Sequence, residues 1–247
     1  MDEEYWDDVA GEYDGLYATQ WSQFENSCLE RDLKVALELA PGNRVLDIGC
    51  GTGLAFTLLS HIKSDIDYVG LDISAGMLRE FRKEHPLVKT MLGSGEKLLE
   101  LFEPSRFDLV ISTNVAASFP RDVRQMLTGI ARVLSGKGIA SMSFVNKWSF
   151  RRLVHFKFRS AEQYRTRGDR KSDKFAIANT FSSDDLKSLF SDTGFCDLRY
   201  AYGSVLGGIW EDSVSICMER ALSRVIPVLG HSITVQAKLK PREARNA

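Results

Sequence analysis

The chain has 247 residues, 44% of them hydrophobic, with 32 lysines and arginines against 33 aspartates and glutamates. That length allows one large domain, or a core domain with a lid, around a substantial apolar core. The nearly balanced charge argues against nucleic acid as the partner, because proteins that bind it concentrate positive charge. The four cysteines form no C-x-x-C pair, which argues against a zinc site or a disulfide framework.

The chain begins with acidic residues and lacks an apolar signal segment. It also has no uncharged apolar run of the ~20 residues that cross a membrane. We therefore expect a soluble, cytoplasmic protein with reduced thiols and no membrane partner. The oligomeric state is left open by the sequence.

A helical cap of two helices is predicted over residues 1–42. Its first half carries four apolar or aromatic residues at helical spacing: Trp6, Val9, Tyr13 and Leu16. Such a face either packs the helix onto the rest of the protein or covers a bound ligand.

A core domain is predicted over residues 43–146, and it opens with Val-Leu-Asp-Ile-Gly-Cys-Gly-Thr-Gly at 45–53. The apolar residues fit a strand buried on both faces. Gly49, Gly51 and Gly53 remove every Cβ where the chain turns into a helix, so a ligand can lie against bare backbone. The N–H groups at the start of that helix favour negative charge or oxygen acceptors.

A second predicted strand ends at Asp72, whose carboxylate can accept hydrogen bonds from the two vicinal hydroxyls of a ribose. Together the glycine turn and this carboxylate predict an adenosine site. The glycine spacing separates two ligand classes, because a dinucleotide site reads G-x-G-x-x-G to seat a pyrophosphate on the helix. Here Leu54 stands where the third dinucleotide glycine would fall.

Residues 45–53 resemble the first motif of the class I S-adenosylmethionine-dependent methyltransferases, and the similarity continues in the same order over roughly residues 5–146. The resemblance implies an α/β fold of the Rossmann-like type. It implies a three-layer sandwich with a mostly parallel seven-stranded sheet whose last strand is antiparallel. It further implies S-adenosyl-L-methionine as the cofactor and methyl transfer as the reaction.

The same resemblance assigns roles to individual residues. Asp72 is implied to bind the ribose, and Ile73 and Met77 the adenine, although Met77 also fits plain core packing. Ser94 stands where relatives commonly carry an aspartate that accepts from the adenine amino group, and a hydroxyl accepts that bond more weakly. Asn114 either contacts the methionine part of the cofactor or caps a loop. The predicted cofactor-binding residues are Tyr13, Asp47, Gly49, Cys50, Gly51, Gly53, Asp72, Ile73, Met77, Ser94, Gly95 and Asn114.

Residues 147–180 are predicted to form a basic and aromatic lid inserted after strand five. The stretch 147–174 holds ten basic residues against three acidic ones. The basic residues are Lys147, Arg151, Arg152, Lys157, Arg159, Arg165, Arg167, Arg170, Lys171 and Lys174. The interleaved aromatic residues are Trp148, Phe150, Phe156, Phe158 and Tyr164. This composition suits an acidic, phosphorylated or aromatic substrate, or a solvated lid.

Residues 181–240 are predicted to complete the core domain. Ser182 and the acidic residues after it predict the start of a helix. The segment 205–230 is predicted to be a substrate-side insert that contains an amphipathic helix. The last strand is predicted over residues 232–239, and 241–247 form a polar tail.

Methyl transfer mainly requires that a nucleophile be aligned and water excluded. A general base is needed only when the acceptor carries a proton. Many relatives place a histidine after strand four, where this chain has Val-Ala-Ala-Ser at 115–118. His155 in the insert is the predicted candidate base, with Tyr164 and Tyr202 behind it. The remaining histidines are expected to lie away from the carboxyl ends of the strands: His61, His85 and His231.

We therefore expect methyl transfer to an oxygen or nitrogen of a small molecule, of an anionic or aromatic kind, without a metal. Two alternatives stay open. An NAD-dependent oxidoreductase is disfavoured by Leu54 and by the lack of a Tyr-x-x-x-Lys pattern. A non-catalytic adaptor or sensor that binds S-adenosylmethionine is kept open by Ser94 and by the missing base after strand four.

Overall fold

The computed structural model describes residues 2–155, 159–164, 174–206 and 213–241. The strands in these ranges are β1 (Arg44–Ile48), β2 (Asp67–Asp72), β3 (Lys89–Leu92), β4 (Phe107–Ser112), β5 (Leu134–Asn146), β6 (Ala161–Tyr164), β7 (Ala176–Phe181), β8 (Phe195–Tyr202) and β9 (Ser232–Leu239).

The α-helices in the same ranges are α1 (Asp2–Val9), α2 (Tyr13–Leu16), α3 (Gln20–Leu39), α4 (Leu54–Ile62), α5 (Ala75–Glu84), α6 (Leu98–Leu101), α7 (Val123–Val133), α8 (Phe150–Val154), α9 (Ser183–Asp192) and α10 (Ser213–Val225). Short 3₁₀ turns occupy Ala10–Glu12, Gly95–Lys97, Ala116–Ser118 and Pro227–Leu229.

The central sheet has the strand order β3-β2-β1-β4-β5-β9-β8. The pairs from β3 to β5 are parallel, whereas β9 runs antiparallel to both β5 and β8. This confirms the predicted α/β fold and the antiparallel last strand, which begins at Ser232 as expected. The insert adds a part that the sequence did not predict, because β7 pairs with the end of β5 and β6 pairs with β7.

The strands are buried on both faces because alternate residues enter two different cores. Leu46 of β1 and Val110 of β4 face a core that α7 covers through residues such as Leu127. Val45 and Leu109, one position earlier in each strand, face a second core under α3, α4 and α5. The period of two thus explains why these strands read as continuous apolar runs.

The helices begin where the sequence offers a capping side chain. Thr19, Ser74 and Asp122 each accept a hydrogen bond from the first turn of α3, α5 and α7. Ser182 and Asp185 form a reciprocal capping box at α9, which agrees with the predicted helix start. None of the described helices combines the length and the apolar character needed to span a membrane.

Two carboxylates attach the N-terminal helices to the sheet edge. Asp7 accepts hydrogen bonds from the Ser74 hydroxyl at 2.6 Å and from the Gly76 N–H at 2.7 Å. Asp14 accepts from the Thr52 hydroxyl at 2.6 Å. Thr52 belongs to the turn that follows β1, and Ser74 and Gly76 to the turn that follows β2 and the start of α5. The N-terminal helices are therefore held directly over the carboxyl ends of these two strands.

Candidate functional site

A cavity of about 310 Å³ lies at the carboxyl ends of β1, β2 and β4, and we call it the glycine-loop cavity. Its floor includes Gly49, Gly51 and Asp72, and its roof includes Trp6 and Tyr13 of the N-terminal helices. Open parallel sheets bind ligands at this edge. The predicted residues Cys50, Ile73, Met77, Ser94, Gly95 and Asn114 also line it.

The glycine turn leaves bare backbone on the cavity wall. Gly51 has a φ of +53°, and a Cβ placed on it would meet nothing within 4 Å. Gly49 has a φ of +73°, and its Cβ would come within 2.8 Å of the Ala116 Cβ. The loop after β4 can therefore approach β1 only because residue 49 is a glycine.

Asp72 is the buried carboxylate on the cavity floor. One oxygen accepts from the Gly51 N–H at 2.8 Å, and the other accepts from the Ser74 N–H at 2.9 Å. Burial raises the pKa of Asp72, and the backbone donors partly offset that rise. Each carboxylate oxygen can accept a second bond, so the pair can still receive two vicinal hydroxyls.

Two predicted residues do not line the cavity. The Asp47 carboxylate is fully buried in β1 and accepts from the Tyr68 hydroxyl at 2.6 Å, and burial raises its pKa to about 7. Gly53 faces α5 instead, where a Cβ would approach the Phe81 ring at 2.9 Å and the His85 ring at 3.1 Å. Asp47 and Gly53 therefore pack on the side of the glycine turn that faces away from the cavity.

In the turn after β3, the Ser94 hydroxyl is already hydrogen-bonded within the chain, whereas the resemblance implied an acceptor for the adenine amino group. The Ser94 hydroxyl accepts from the Glu96 N–H at 3.2 Å and lies 3.4 Å from the Glu96 carboxylate. Glu96 itself lines the cavity and also accepts from the Asp122 N–H at 2.7 Å. The cavity wall thus keeps a carboxylate at Glu96, whereas position 94 carries a hydroxyl in place of the family's aspartate.

The roof of the cavity is aromatic. The Trp6 ring lies edge-on to Phe119, with ring centroids 5.1 Å apart, and 6.3 Å from Tyr13. Met77 is buried beneath them in a cluster with Tyr5 and other residues of the N-terminal helices. Met77 therefore both packs this cluster and lines the cavity. The sequence pattern predicted core packing and cofactor contact as alternatives for Met77.

The loop after β4 carries unusual backbone. Asn114 has a φ of +48° and Val115 a φ of +59°. A β-branched residue with positive φ is a genuine outlier that costs on the order of 1–3 kcal/mol. The Ser143 hydroxyl accepts from the Val115 N–H at 3.3 Å and helps to hold this conformation.

Thr113 and Asn114 also line a second cavity of about 720 Å³, which we call the polar cavity. It lies between α3, the ends of β4 and β5, the insert and the start of β9. Arg152 is paired with Glu162 and donates to the Asn146 carbonyl at 3.0 Å, so its charge is already balanced by the protein.

The candidate base His155 and the candidate Tyr164 both line the polar cavity. His155 lies at the end of α8 and is exposed. Burial raises the pKa of the Tyr164 phenol well above its usual value, so the phenol stays protonated at neutral pH. Burial also raises the pKa of Tyr17 and of Tyr13, whose rings lie 5.0 Å apart between centroids, so neutral phenols line the region where the two cavities meet.

The expectation that His231 lies away from the carboxyl ends of the strands is wrong. His231 directly precedes β9 and lines the polar cavity. Because β9 is antiparallel, its beginning lies at the edge where the parallel strands end. The strand direction was therefore the signal that locates this histidine. Glu25, from the N-terminal helix α3, meets His231 there, and no local pattern indicated it.

Several predicted residues fall outside the described ranges. They are Phe156, Lys157, Phe158, Arg165, Arg167, Arg170 and Lys171. Among the described insert residues, Lys174 pairs with Asp8 at 3.2 Å. Within the ranges that the structure describes, no cluster of three or more His, Cys, Asp or Glu side chains could hold a metal ion.

The sheet order and the glycine turn define the class I methyltransferase fold. Residues 45–138 match the family model described as a methyltransferase domain. This part of the chain therefore matches a methyltransferase domain in sequence, and the fold is that of the class I methyltransferases, whose cofactor is S-adenosylmethionine. The predicted family and cofactor are confirmed.

Comparison with individual proteins supports the same family. The chain is 31% identical over 143 residues to the malonyl-[acyl-carrier protein] O-methyltransferase of Methylovorus sp., covering 56% of this chain and 47% of that protein. It is 31% identical over 170 residues to the demethylmenaquinone methyltransferase of Symbiobacterium thermophilum, covering 63% and 62%. The chain thus spans about half the length of the curated relatives it matches.

The fold is also that of the PH0226 protein of Pyrococcus horikoshii, with a TM-score of 0.63 and 21% identity over 96% of this chain and 99% of that one. The glycine-loop cavity fits the cofactor on the chain's own features. The bare backbone at Gly51 and the spare acceptor capacity of Asp72 suit an adenosyl group, and Thr113 and Asn114 stand where the second cavity begins.

Proposed function

We propose that the protein transfers the methyl group of S-adenosylmethionine to an oxygen or nitrogen of a small molecule held in the polar cavity. The observation that carries this proposal is that the two cavities share Thr113 and Asn114. A volume of about 720 Å³ is in the range of small-molecule sites. S-adenosylmethionine, when bound, supplies a methyl that is already activated by a positively charged sulfur.

The chain's own contribution is alignment and exclusion of water. The strained Asn114–Val115 backbone lies at the end of β4, where the two cavities meet. Trp6 and Tyr13 cover the glycine-loop cavity, and the Asp7 and Asp14 hydrogen bonds hold this cover in place. These features support a site in which a nucleophile meets the methyl away from solvent.

The described charges favour a neutral polar or aromatic acceptor over a strongly anionic one. Three carboxylates, Glu25, Asp32 and Glu162, line the polar cavity against Arg151 and Arg152, and Arg152 is paired with Glu162. Seryl hydroxyls and the rings of Tyr17 and Phe24 contribute to the rest of the wall. The two named relatives carry different substrates in their names, so neither name transfers to this chain.

The test is transfer of label from methyl-labelled S-adenosylmethionine to a metabolite extract, compared with protein and RNA fractions of the same cells. We expect label in small molecules only. The Thr234→Phe variant, which fills the polar cavity, should bind S-adenosylmethionine normally and lose transfer. Thr128→Phe, on the exposed face of α7, is the matched control and should keep both.

Other results would contradict the proposal. Label in the protein or RNA fraction alone would assign a macromolecular acceptor. Binding of S-adenosylmethionine by calorimetry without transfer to any fraction would favour the adaptor or sensor alternative. Thr234→Phe activity equal to that of Thr128→Phe would show that the acceptor does not occupy the polar cavity.

A further inference from the structure

A hydrogen-bonded group of three side chains lies on the wall of the polar cavity, and distant parts of the chain contribute it. His231 precedes β9, Glu25 belongs to α3, and Ser204 follows β8. The Ser204 hydroxyl donates to the Glu25 carboxylate at 2.7 Å. The Nδ1 atom of His231 lies 3.1 Å from the Ser204 hydroxyl and 3.5 Å from the Glu25 carboxylate.

These contacts assign the proton on the imidazole ring. Nδ1 also lies 3.2 Å from the carbonyl oxygen of Ser204, which can only accept. The Ser204 hydroxyl has already given its proton to Glu25, and the carboxylate is itself an acceptor. Every oxygen around Nδ1 therefore accepts, so the neutral ring carries its proton on Nδ1 and keeps the lone pair on Nε2.

The ring is held in place from its Nδ1 side. A Cβ on Gly203 would come within 2.7 Å of Cε1 and 2.9 Å of Nδ1 of His231, so only glycine lets the ring sit there. The His231 N–H donates to the Ser204 carbonyl at 2.8 Å, and the His231 carbonyl accepts from the Asn146 N–H at 3.0 Å. The His231 side chain keeps 37% of its surface exposed, and the residue lines the polar cavity.

The position of the ring relative to the end of β4 follows from the sheet. β4, β5 and β9 are neighbours, so two strand spacings, about 10 Å, separate β9 from β4 across the sheet. The register places Val235 level with Ser112, so Ser232 at the start of β9 lies three residues, about 10 Å, further along the sheet in the direction in which β4 points. The phenol oxygen that reaches Nε2 must also reach the methyl carbon, so the imidazole and the bound cofactor have to approach each other from the two sides of this gap. The rings of Tyr17, Phe24 and Tyr202 stand on the same wall.

We propose that His231, positioned by Glu25 and Ser204, is the proton acceptor for a phenolic acceptor bound in the polar cavity; this inference rests on the proposed function. Nε2 takes the phenol proton while the phenol oxygen forms its bond to the methyl carbon. The carbon–sulfur bond breaks with its electron pair left on sulfur, and the imidazolium is stabilised by the Glu25 carboxylate.

The phenol class follows from what a base is needed for. A carboxylate is already ionised at neutral pH and needs none. A phenol carries its proton at neutral pH and gives it up far more readily than an aliphatic alcohol. A neighbouring carboxylate that orients a histidine is the usual arrangement for proton transfer.

The first test uses labelled S-adenosylmethionine with catechol, guaiacol and 4-hydroxybenzoate as phenols, and with benzylamine and benzoate as matched non-phenols. We expect label on phenols only. His231→Gln should lower kcat about 100-fold or more, in the range of general-base contributions, with an unchanged affinity for S-adenosylmethionine. His61→Gln, on the exposed end of α4, is the matched control and should not change kcat.

Two further variants separate base chemistry from structure. His231→Ala should regain turnover when imidazole is added to the assay, which a purely structural histidine would not show. Glu25→Gln keeps an acceptor for Ser204 and removes the charge, so kcat should fall while KM for the phenol stays within about twofold. Any one of three results overturns the inference. They are label on benzylamine or benzoate but on no phenol, absence of label on all five compounds, and full activity of His231→Gln.

A second readout needs no turnover. The chain has four histidines, so ring ¹⁵N spectra of the histidine-labelled protein can be assigned with His231→Gln. We expect the His231 signals of a ring protonated at Nδ1 and bare at Nε2, and a ring protonated at Nε2 overturns the inference. Transfer to other small molecules in the extract, with His231→Gln fully active, would leave the proposed function standing while this inference fails.

Discussion

Replacement of Asp72 gives the most direct test of how the cofactor is held. In the free protein its two oxygens already accept from the Gly51 and Ser74 N–H groups. The proposed ribose contacts use the remaining acceptor capacity, and each hydrogen bond to a charged group contributes about 1.5–3 kcal/mol. Asp72→Asn should lose about one such contact and bind S-adenosylmethionine roughly 10- to 100-fold more weakly.

Asp72→Ala should lose both contacts, which corresponds to roughly 10²- to 10⁴-fold weaker binding. This variant also leaves two buried N–H groups without an acceptor, at about 1–3 kcal/mol each. Removal of a carboxylate whose pKa burial has raised offsets part of that loss. The asparagine variant keeps one acceptor oxygen, so it is the cleaner probe of binding.

The assay is calorimetric titration with S-adenosylmethionine, accompanied by urea unfolding. Asp108→Asn is the matched control, because Asp108 is also a buried carboxylate but pairs with Arg44 at 2.8 Å outside the two cavities. It should lower stability and leave the Kd unchanged. A Kd of Asp72→Asn within about threefold of the wild type would refute the reasoning that places the ribose on this carboxylate.

Three further predictions follow from the same region. The folded pKa of Asp47, about 7, lies above its unfolded value of about 3.9, so this group costs stability as the pH rises from about 4 to about 7. Relative to Asp47→Asn, the wild type should lose about 3 kcal/mol of unfolding free energy between pH 5 and 8, and parallel pH curves would contradict this. Gly51→Ala should cost about 1 kcal/mol and weaken S-adenosylmethionine binding about tenfold or more, because its φ is positive and its Cβ would enter the space left for the ligand. Gly15→Ala, with free space and no positive φ, is its control, and equal binding by the two variants would contradict the prediction. Asp7→Ala removes the acceptor for Ser74 and Gly76, so hydrogen exchange of residues 2–16 should rise about tenfold or more; unchanged exchange would show that aromatic packing alone holds these helices.

The cofactor side of the molecule was predictable because its signals are local. The glycine turn and Asp72 sit at the ends of adjacent strands, so strand pattern and spacing were enough to bring them together. Asp47 shows the limit of such a motif. Alternation along β1 turns its side chain toward Tyr68 and away from the cavity, and the motif alone does not reveal the direction of a side chain.

The polar cavity was harder to predict because its parts are distant in sequence. Glu25 and His231 are separated by most of the chain and meet only because β9 runs antiparallel beside β5. The hairpin of β6 and β7 was missed for a related reason. Its strands are short and partly polar, and pairing of β7 with the end of β5 and of β6 with β7 stabilises them more than a pattern of their own.

The two cavities have only Thr113 and Asn114 in common among the described residues that line them. The wall of the polar cavity is otherwise contributed by α3, by the far end of the sheet and by the insert, most of which lie outside the matched region 45–138. With the acceptor in the polar cavity and S-adenosylmethionine in the glycine-loop cavity, as proposed, substitutions on that wall would change which molecule is accepted without touching the residues that face the cofactor. A lineage that keeps the glycine turn can diversify its chemistry through the remainder of the chain, and two adjacent residues are all that both tasks must share.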